Sequence, residues 1–171
     1  MITKKVRVLC LAVLASLLTG CSKLTVDNSV VNELDLQRFL GEWYEVARFD
    51  HRFERGMEQT KAKYVLREDG DLDVLNSGIK DGEPKTAEGK AKLTDVPAVL
   101  RVSFFGPFYS DYRVMMIDSA YQYALIGSGS DDYLWILSRT PQLSDSVKTV
   151  ILDEATRRGY DTKQLIWVKQ R

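Results

Sequence analysis

One carboxylate, one imidazole and three arginines have the types and spacing to do chemistry in this chain. Glu45 alternates with Trp43 and Ala47 in a run of period two, so the face that carries it is otherwise apolar. A carboxylate so placed must be paired, hydrogen-bonded or neutral. It can meet an inward arginine, touch the polar group of a ligand, or act on a bound substrate. His51, the only histidine, follows in the charged stretch Asp50-His51-Arg52-Phe53-Glu54-Arg55-Gly56. Without a second imidazole or a cysteine pair it makes no metal site. No serine stands in a G-x-S-x-G setting, and Gly127-Ser128-Gly129-Ser130 lacks the lysine of a phosphate loop. Residue types therefore argue against an enzyme, a metal and a cofactor. They leave Arg48, Arg52 and Arg55 as a basic cluster able to face an anionic group.

The length, 171 residues, suits one domain. Lys4, Lys5 and Arg7 open the chain, residues 8–18 are almost wholly apolar, and small residues precede Cys21. The run is short for a bilayer span and has the layout of a secretory signal peptide over 1–20. Its removal takes Cys10 with it, leaving Cys21 alone and no intramolecular disulfide. It also takes three of 24 basic residues against 24 acidic ones, so the remainder is slightly acidic and gives no reason to expect nucleic acid. Leu18-Thr19-Gly20-Cys21 resembles a bacterial lipobox, which implies cleavage before Cys21 and a diacylglyceryl group on its thiol. Ser22 in place of aspartate implies, by the same resemblance, the outer membrane of a Gram-negative cell. Residues 21–33, polar with scattered valines, read as a tether, and 34–171 as the domain.

A short helical lead at 35–40 precedes a first strand at 43–49. Period-two runs follow at 60–67, 72–79, 85–93, 99–105, 111–118, 121–128 and 133–139, each bounded by turn residues such as Asp69-Gly70 and Asp81-Gly82. After Pro141 the period changes: Ser144 or Asp145 can cap a helix carrying Val147, Val150, Ile151 and Ala155, with Gly159 as its stop. A short strand at 164–169 ends the chain. The fold class is all-β, an eight-stranded antiparallel up-and-down barrel with a C-terminal α-helix and a final short strand.

Three motifs in this order resemble the lipocalin family, and the bacterial outer-membrane lipoprotein branch in particular. They are Gly41-x-Trp43, the stretch Ser110-Asp111-Tyr112 running on to Asp118 and Tyr121, and Arg139. Ser110 stands where the family usually has threonine. In a barrel whose first strand starts at the closed end, the eighth must end there. The resemblance implies that Arg139 packs across Trp43, with Gly41, Asp111 and Tyr112 also part of a structural signature.

The loops after the first, third, fifth and seventh strands then lie at the open end. They bring the basic cluster together with Phe105, Phe108 and Tyr109. Period two places Ala47, Phe49, Tyr64, Phe104, Tyr112, Val114, Met116 and Trp135 on the inner wall, and small residues at Ala62, Ala87, Gly89 and Ala91 leave room there. A slip of one residue would invert any of these assignments. A cavity of this kind suits an amphiphile with an anionic head, such as a fatty acid or lysophospholipid. The resemblance implies lipid storage or transport in membrane maintenance under envelope stress. The alternative is an interaction lipoprotein whose aromatic mouth docks a partner protein or a second copy of the chain.

Overall fold

The computed structural model describes residues 26–171, so the signal peptide, Cys10 and Cys21 lie outside the described residues. A four-residue helix, α1 (Leu36–Phe39), is capped by the Asp35 carboxylate and leads into β1 (Gly41–Arg48). Gly41 makes the turn at φ +91°, where a side chain would be strained. There follow β2 (Met57–Leu66), β3 (Leu72–Lys80), β4 (Glu83–Leu93), β5 (Val99–Phe105), β6 (Phe108–Ile117), β7 (Tyr123–Gly127) and β8 (Leu134–Ser138). Each pairs antiparallel with the next, and β1 bonds to both β8 and β2, which closes the ring. This is the eight-stranded up-and-down barrel that the alternation requires.

Helix α2 (Asp145–Arg157) starts on a Ser144 cap, buries Ile151 and Ala155 and stops before Gly159 at φ +93°. A 3₁₀ turn, Thr162–Gln164, then leads to β9 (Ile166–Trp167). Strand β9 lies outside the ring. Beyond Tyr44, β1 parts from β2 and pairs with β9 through Ala47 and Arg48. The Gln170 amide bridges the gap, donating to the Glu45 and Thr60 carbonyls.

Several boundaries differ from the sequence expectation. Strand β2 starts three residues early and β6 at Phe108, because their hairpin ends continue the ladders. Strand β7 starts late: Tyr121 adopts φ +59° in a turn held by the Asp118 carboxylate. The final strand shrinks to two residues.

The tether reading also changes. From Val26 onward the chain is a strap on the barrel. The Asp27 amide donates to the Arg158 carbonyl and the Val31 amide to the Val114 carbonyl. The Arg113 guanidinium donates to the Asn28 carbonyl. Polar Asp27, Asn28 and Ser29 look solvated in sequence, yet their carbonyls accept from Arg158, Arg113 and Arg158 in turn.

Two apolar cores result. One fills the lower barrel around Phe39, Trp43, Tyr64, Leu72, Leu100, Val114 and Ile126. The other lies outside the barrel wall, beneath α2, around Val46, Ala47, Phe49, Met115, Leu125, Ile136, Ile151 and Tyr160.

Candidate functional site

The closed end is built by Arg139. Its guanidinium carbon lies 3.8 Å over the Trp43 ring, and it donates to the carbonyls of Glu42, Arg38 and Leu40 at 2.6, 2.7 and 2.8 Å. Trp43 in turn donates its indole N–H to the Phe39 carbonyl. Cation–π contact and carbonyl bonds together satisfy the last turn of α1, whose own backbone acceptors would otherwise be stranded. Gly41, Trp43 and Arg139 form a floor, and ligand chemistry has to sit above it. Asp111 lies on the outer face between Arg101 and Arg113, while Tyr112 points inward and accepts from the Tyr64 hydroxyl at 2.8 Å.

Above the floor the inner wall can be read from register. Ala62 opposes Asn76, which opposes Ala87; Tyr64 opposes Val74, which opposes Gly89. Residues directly opposite share a face. Ala62 and Tyr64 belong to the barrel core, so Asn76, Ala87 and Gly89 face inward too. Ala87 is nonetheless exposed to solvent. The inner wall is therefore open to water at the level of Ala87. At Gly89 a Cβ would come within 2.7 Å of the Phe104 ring, so the missing side chain lets that ring lie against β4. Tyr64, Phe104, Tyr112, Val114 and Trp135 all pack on the barrel core.

Ala47, Phe49 and Met116 do not line this interior. All three belong to the core beneath α2. The cause is a bulge in each strand: the β1–β8 register shifts between Glu45 and Ala47, and the β6–β7 register between Val114 and Met116. An extra residue reverses the alternation beyond it. In β1 this turns Ala47 and Phe49 outward and brings Arg48 inward, opposite Trp135.

Arg48 is thus buried in the barrel, 2% exposed. It lies 2.7 Å from Glu45 Oε1 and also donates to the carbonyls of Glu54 and Met57. Thr60 donates a second bond to Glu45 at 3.2 Å. Burial pushes the Glu45 carboxyl up to about 8, with the nearby Glu54 carboxylate adding to the rise and Arg48 opposing it. Glu54 shifts the other way. Burial resists its ionisation, but bonds from His51 and Trp135 and the charge of Arg48 outweigh that cost and lower it. His51 Nε2 lies 2.8 Å from Glu54 Oε2, and Trp135 donates at 3.3 Å. The two carboxyls are thus pushed apart: burial and the Glu54 charge favour the neutral form of Glu45, while His51, Trp135 and Arg48 favour the charged form of Glu54. The inward arginine expected as a partner for Glu45 is Arg48 itself.

The three arginines are not brought together. Arg55 pairs with Asp50 on the surface at 2.8 Å, and Arg52 lies 4.7 Å from the Phe53 ring centre on the rim. Two unpaired polar atoms are more suggestive, one of them on Asn76, which sequence reasoning passed over. Asn76 Oδ1 and Arg48 Nε are buried without a hydrogen-bond partner. Lys85, exposed, opposes Gly78 on the inward register of β4 near the mouth. A signal existed: Asn76 stands two residues from Val74 on the same strand face. Its polarity there conflicts with a filled apolar core.

A recess of 740 Å³ lies on the outer face of β2–β5, where Lys63, Val65, Leu75, Glu88 and Lys90 alternate with the inward residues. Val74, Phe104 and Tyr109 also border it, and charges of both signs are mixed with these apolar side chains. At the rim, Phe53, Phe105 and Phe108 are exposed, and Phe53 stacks on Phe105 with ring centres 5.8 Å apart. Among the described residues no cluster of histidine, cysteine or carboxylate side chains could hold a metal.

Comparison with known proteins agrees with this geometry. The family model of the lipocalin-like domain matches residues 34–170. The chain is a lipocalin. The outer membrane lipoprotein Blc of Escherichia coli K12 is 51% identical over 165 residues, which is 93% of each chain. Outer membrane lipoprotein Blc of Vibrio cholerae is 42% identical, covering 96% of this chain and 99% of its own. With these relatives, this lipocalin belongs to the outer-membrane branch of Gram-negative bacteria. In fold it is also similar to insecticyanin of the tobacco hornworm Manduca sexta, with a TM-score of 0.70 at 21% identity over 85% of both chains.

Proposed function

We propose that this lipocalin carries single-chain amphiphiles, fatty acids or lysophospholipids, in the upper half of its barrel. The observation that carries the reading is the exposed, inward-register Ala87 opposite Asn76, whose Oδ1 lacks a partner, in a barrel whose core carries Tyr64, Phe104, Tyr112 and Trp135. An acyl chain gains roughly 0.8 kcal/mol per buried methylene against such a wall. Its head group stays near Lys85 and the rim, where an anion finds a cation and water. Asn76 Oδ1 accepts from a hydroxyl of the glycerol. Binding rather than catalysis is the activity, since Glu45 is committed to Arg48 and Thr60.

Removal of residues 1–20 and lipidation of Cys21 complete the reading. The carrier is then held at the outer membrane and serves lipid storage or transport in membrane maintenance under envelope stress. Trp135, opposite Arg48 and packed on the barrel core, is the reporter of occupancy. Titrating the delipidated protein with a lysophospholipid should give a saturable change in tryptophan fluorescence that a neutral polar solute does not. No saturable change with any acyl ligand would sink the proposal.

A further inference from the structure

The strap formed by residues 26–35 runs along the barrel axis, and its direction is fixed. Asp35 sits at the closed end, its amide bonded to the Tyr121 hydroxyl. Val31 is level with Val114 in the middle of β6. Asn28 is level with Arg113 and Ser128, and Asp27 reaches Arg158. Ser128 and Leu134, which bounds the same β7–β8 loop, belong to the open end. The chain therefore leaves the barrel on the side of its mouth.

Only four residues lie between Val26 and Cys21, five Cα-to-Cα steps with a reach of about 17 Å. The rim at Phe108 stands five residues along β6 above Arg113, about 13 Å along the axis once strand tilt is allowed for. Cys21 can reach the plane of the rim. The closed end lies behind it, at the far end of the strap. What waits at the rim is apolar: Phe53, Phe105 and Phe108 are 50%, 66% and 78% exposed. Arg52 caps the first of them.

Resting on the reading that Cys21 carries the anchor, we infer that the barrel mouth faces the bilayer that holds it, and that Phe53, Phe105 and Phe108 enter its interfacial layer. Aromatic side chains favour that layer, and a second apolar contact beside an acyl anchor is what turns tethering into a fixed orientation. An amphiphile then passes between membrane and barrel without crossing water. Arg52 meets lipid phosphate as the rings descend. The floor sealed by Arg139 points away from the membrane.

The lipidated mature protein offers a direct test. Its Cys21 thiol is acylated, so a new cysteine is a unique label site. Phe108→Cys and Phe105→Cys place spin labels on the rim. Val96→Cys, 51% exposed between β4 and β5, places one at the closed end. In vesicles of phosphatidylethanolamine and phosphatidylglycerol, power saturation compares collisions with oxygen and with a water-soluble nickel chelate. The rim labels should show an oxygen-to-nickel ratio at least threefold above the Val96 label. Equal ratios would overturn the inference. Rim labels shielded from both reagents would overturn it too, since a second copy or a partner protein would then cover the mouth. Lysophospholipid binding, measured on the unsubstituted protein in the same vesicles, separates the two claims. Binding with water-exposed rim labels refutes the orientation alone, and loss of binding with inserted labels refutes the carrier reading alone. A free Cys21 thiol by mass would remove the anchor on which the orientation rests.

Discussion

The Glu45→Gln substitution decides where the charge of the barrel interior resides. Glu45 is buried, and its carboxyl is raised from an ordinary 4.5 to about 8. Over that window the folded chain binds a proton at Glu45 that the unfolded chain has released. Stability from this group is therefore complete below pH 4.5, declines as pH rises, and is lost above 8. The slope is about 1.4 kcal/mol per pH unit. Between pH 5.5 and 7.5 the native protein should lose on the order of 2 kcal/mol through Glu45. Glutamine keeps an acceptor for Arg48 and Thr60 and has no proton to release. Its stability should be nearly flat in that window, apart from groups common to both proteins. Glu54 does not confuse the measurement, because its carboxyl is lowered and its contribution is lost only below the ordinary carboxylate range.

The assay is urea unfolding of both proteins at pH 5.5, 6.5 and 7.5, read by the difference between their free energies. That difference should shift steadily towards the glutamine variant as pH rises from 5.5 to 7.5. Parallel profiles would refute the reasoning. They would mean that Arg48, 2.7 Å away, keeps Glu45 ionised in the folded protein, and that burial costs less than the pairing returns.

Three other substitutions separate floor, outer core and inner wall. Arg139→Ala removes the ring contact with Trp43 and the bonds to the carbonyls of Arg38, Phe39, Leu40 and Glu42, and should cost about 3 kcal/mol or more in thermal or urea unfolding. Phe49→Ala empties a site beneath α2 and should cost about 3–5 kcal/mol while leaving acyl affinity unchanged, measured by fluorescence titration. Ala87→Leu is the converse: stability within about 0.5 kcal/mol, since the wall is open there, and affinity lower on the order of tenfold because the added side chain fills the acyl path. Lost affinity in Phe49→Ala, or full affinity in Ala87→Leu, would put the ligand somewhere else.

That contrast reflects what the sequence could and could not disclose. Strands β2 to β5 have one face towards solvent, so alternation such as Thr60, Ala62, Tyr64 against Lys61 and Lys63 shows which side is inner. Strands β1, β7 and β8 are covered outside by α2, and β7 reads Ala-Leu-Ile, apolar at every step. With both faces buried, periodicity carries no sign of direction, and a bulge passes unseen. Val46-Ala47 and Met115-Met116 are apolar pairs at which either order of facing looks equally good. Arg48 was the available clue. A buried arginine on the supposed outer face is improbable, but a bulge that turns it towards Glu45 requires a tertiary partner to recognise. The floor was legible because Gly41, Trp43 and Arg139 are tied to strand order rather than to local alternation.

The two ends of the barrel divide the work for a physical reason. At the floor, the carbonyls of Arg38, Phe39 and Leu40 accept from Arg139 and Trp43, and the rings of Trp43 and Tyr64 both pack on Phe39, with centres 5.3 and 5.2 Å away. A ligand gains little there, because the floor is filled by packed rings and, among the described residues, none of its buried side-chain polar atoms lacks a partner. At the mouth, β1 and β2 separate, Gln170 and Arg48 bridge the gap, and Asn76 and Arg48 retain unused polar atoms. Buried polar groups without partners cost free energy in the empty protein. A ligand that supplies those partners recovers that cost in addition to its own acyl burial, so the same groups that weaken the empty barrel strengthen the filled one. Stability should therefore rise on ligand binding by more than the acyl chain alone accounts for, and a lysophospholipid with a free glycerol hydroxyl should stabilise the protein more than a simple alkane of equal chain length.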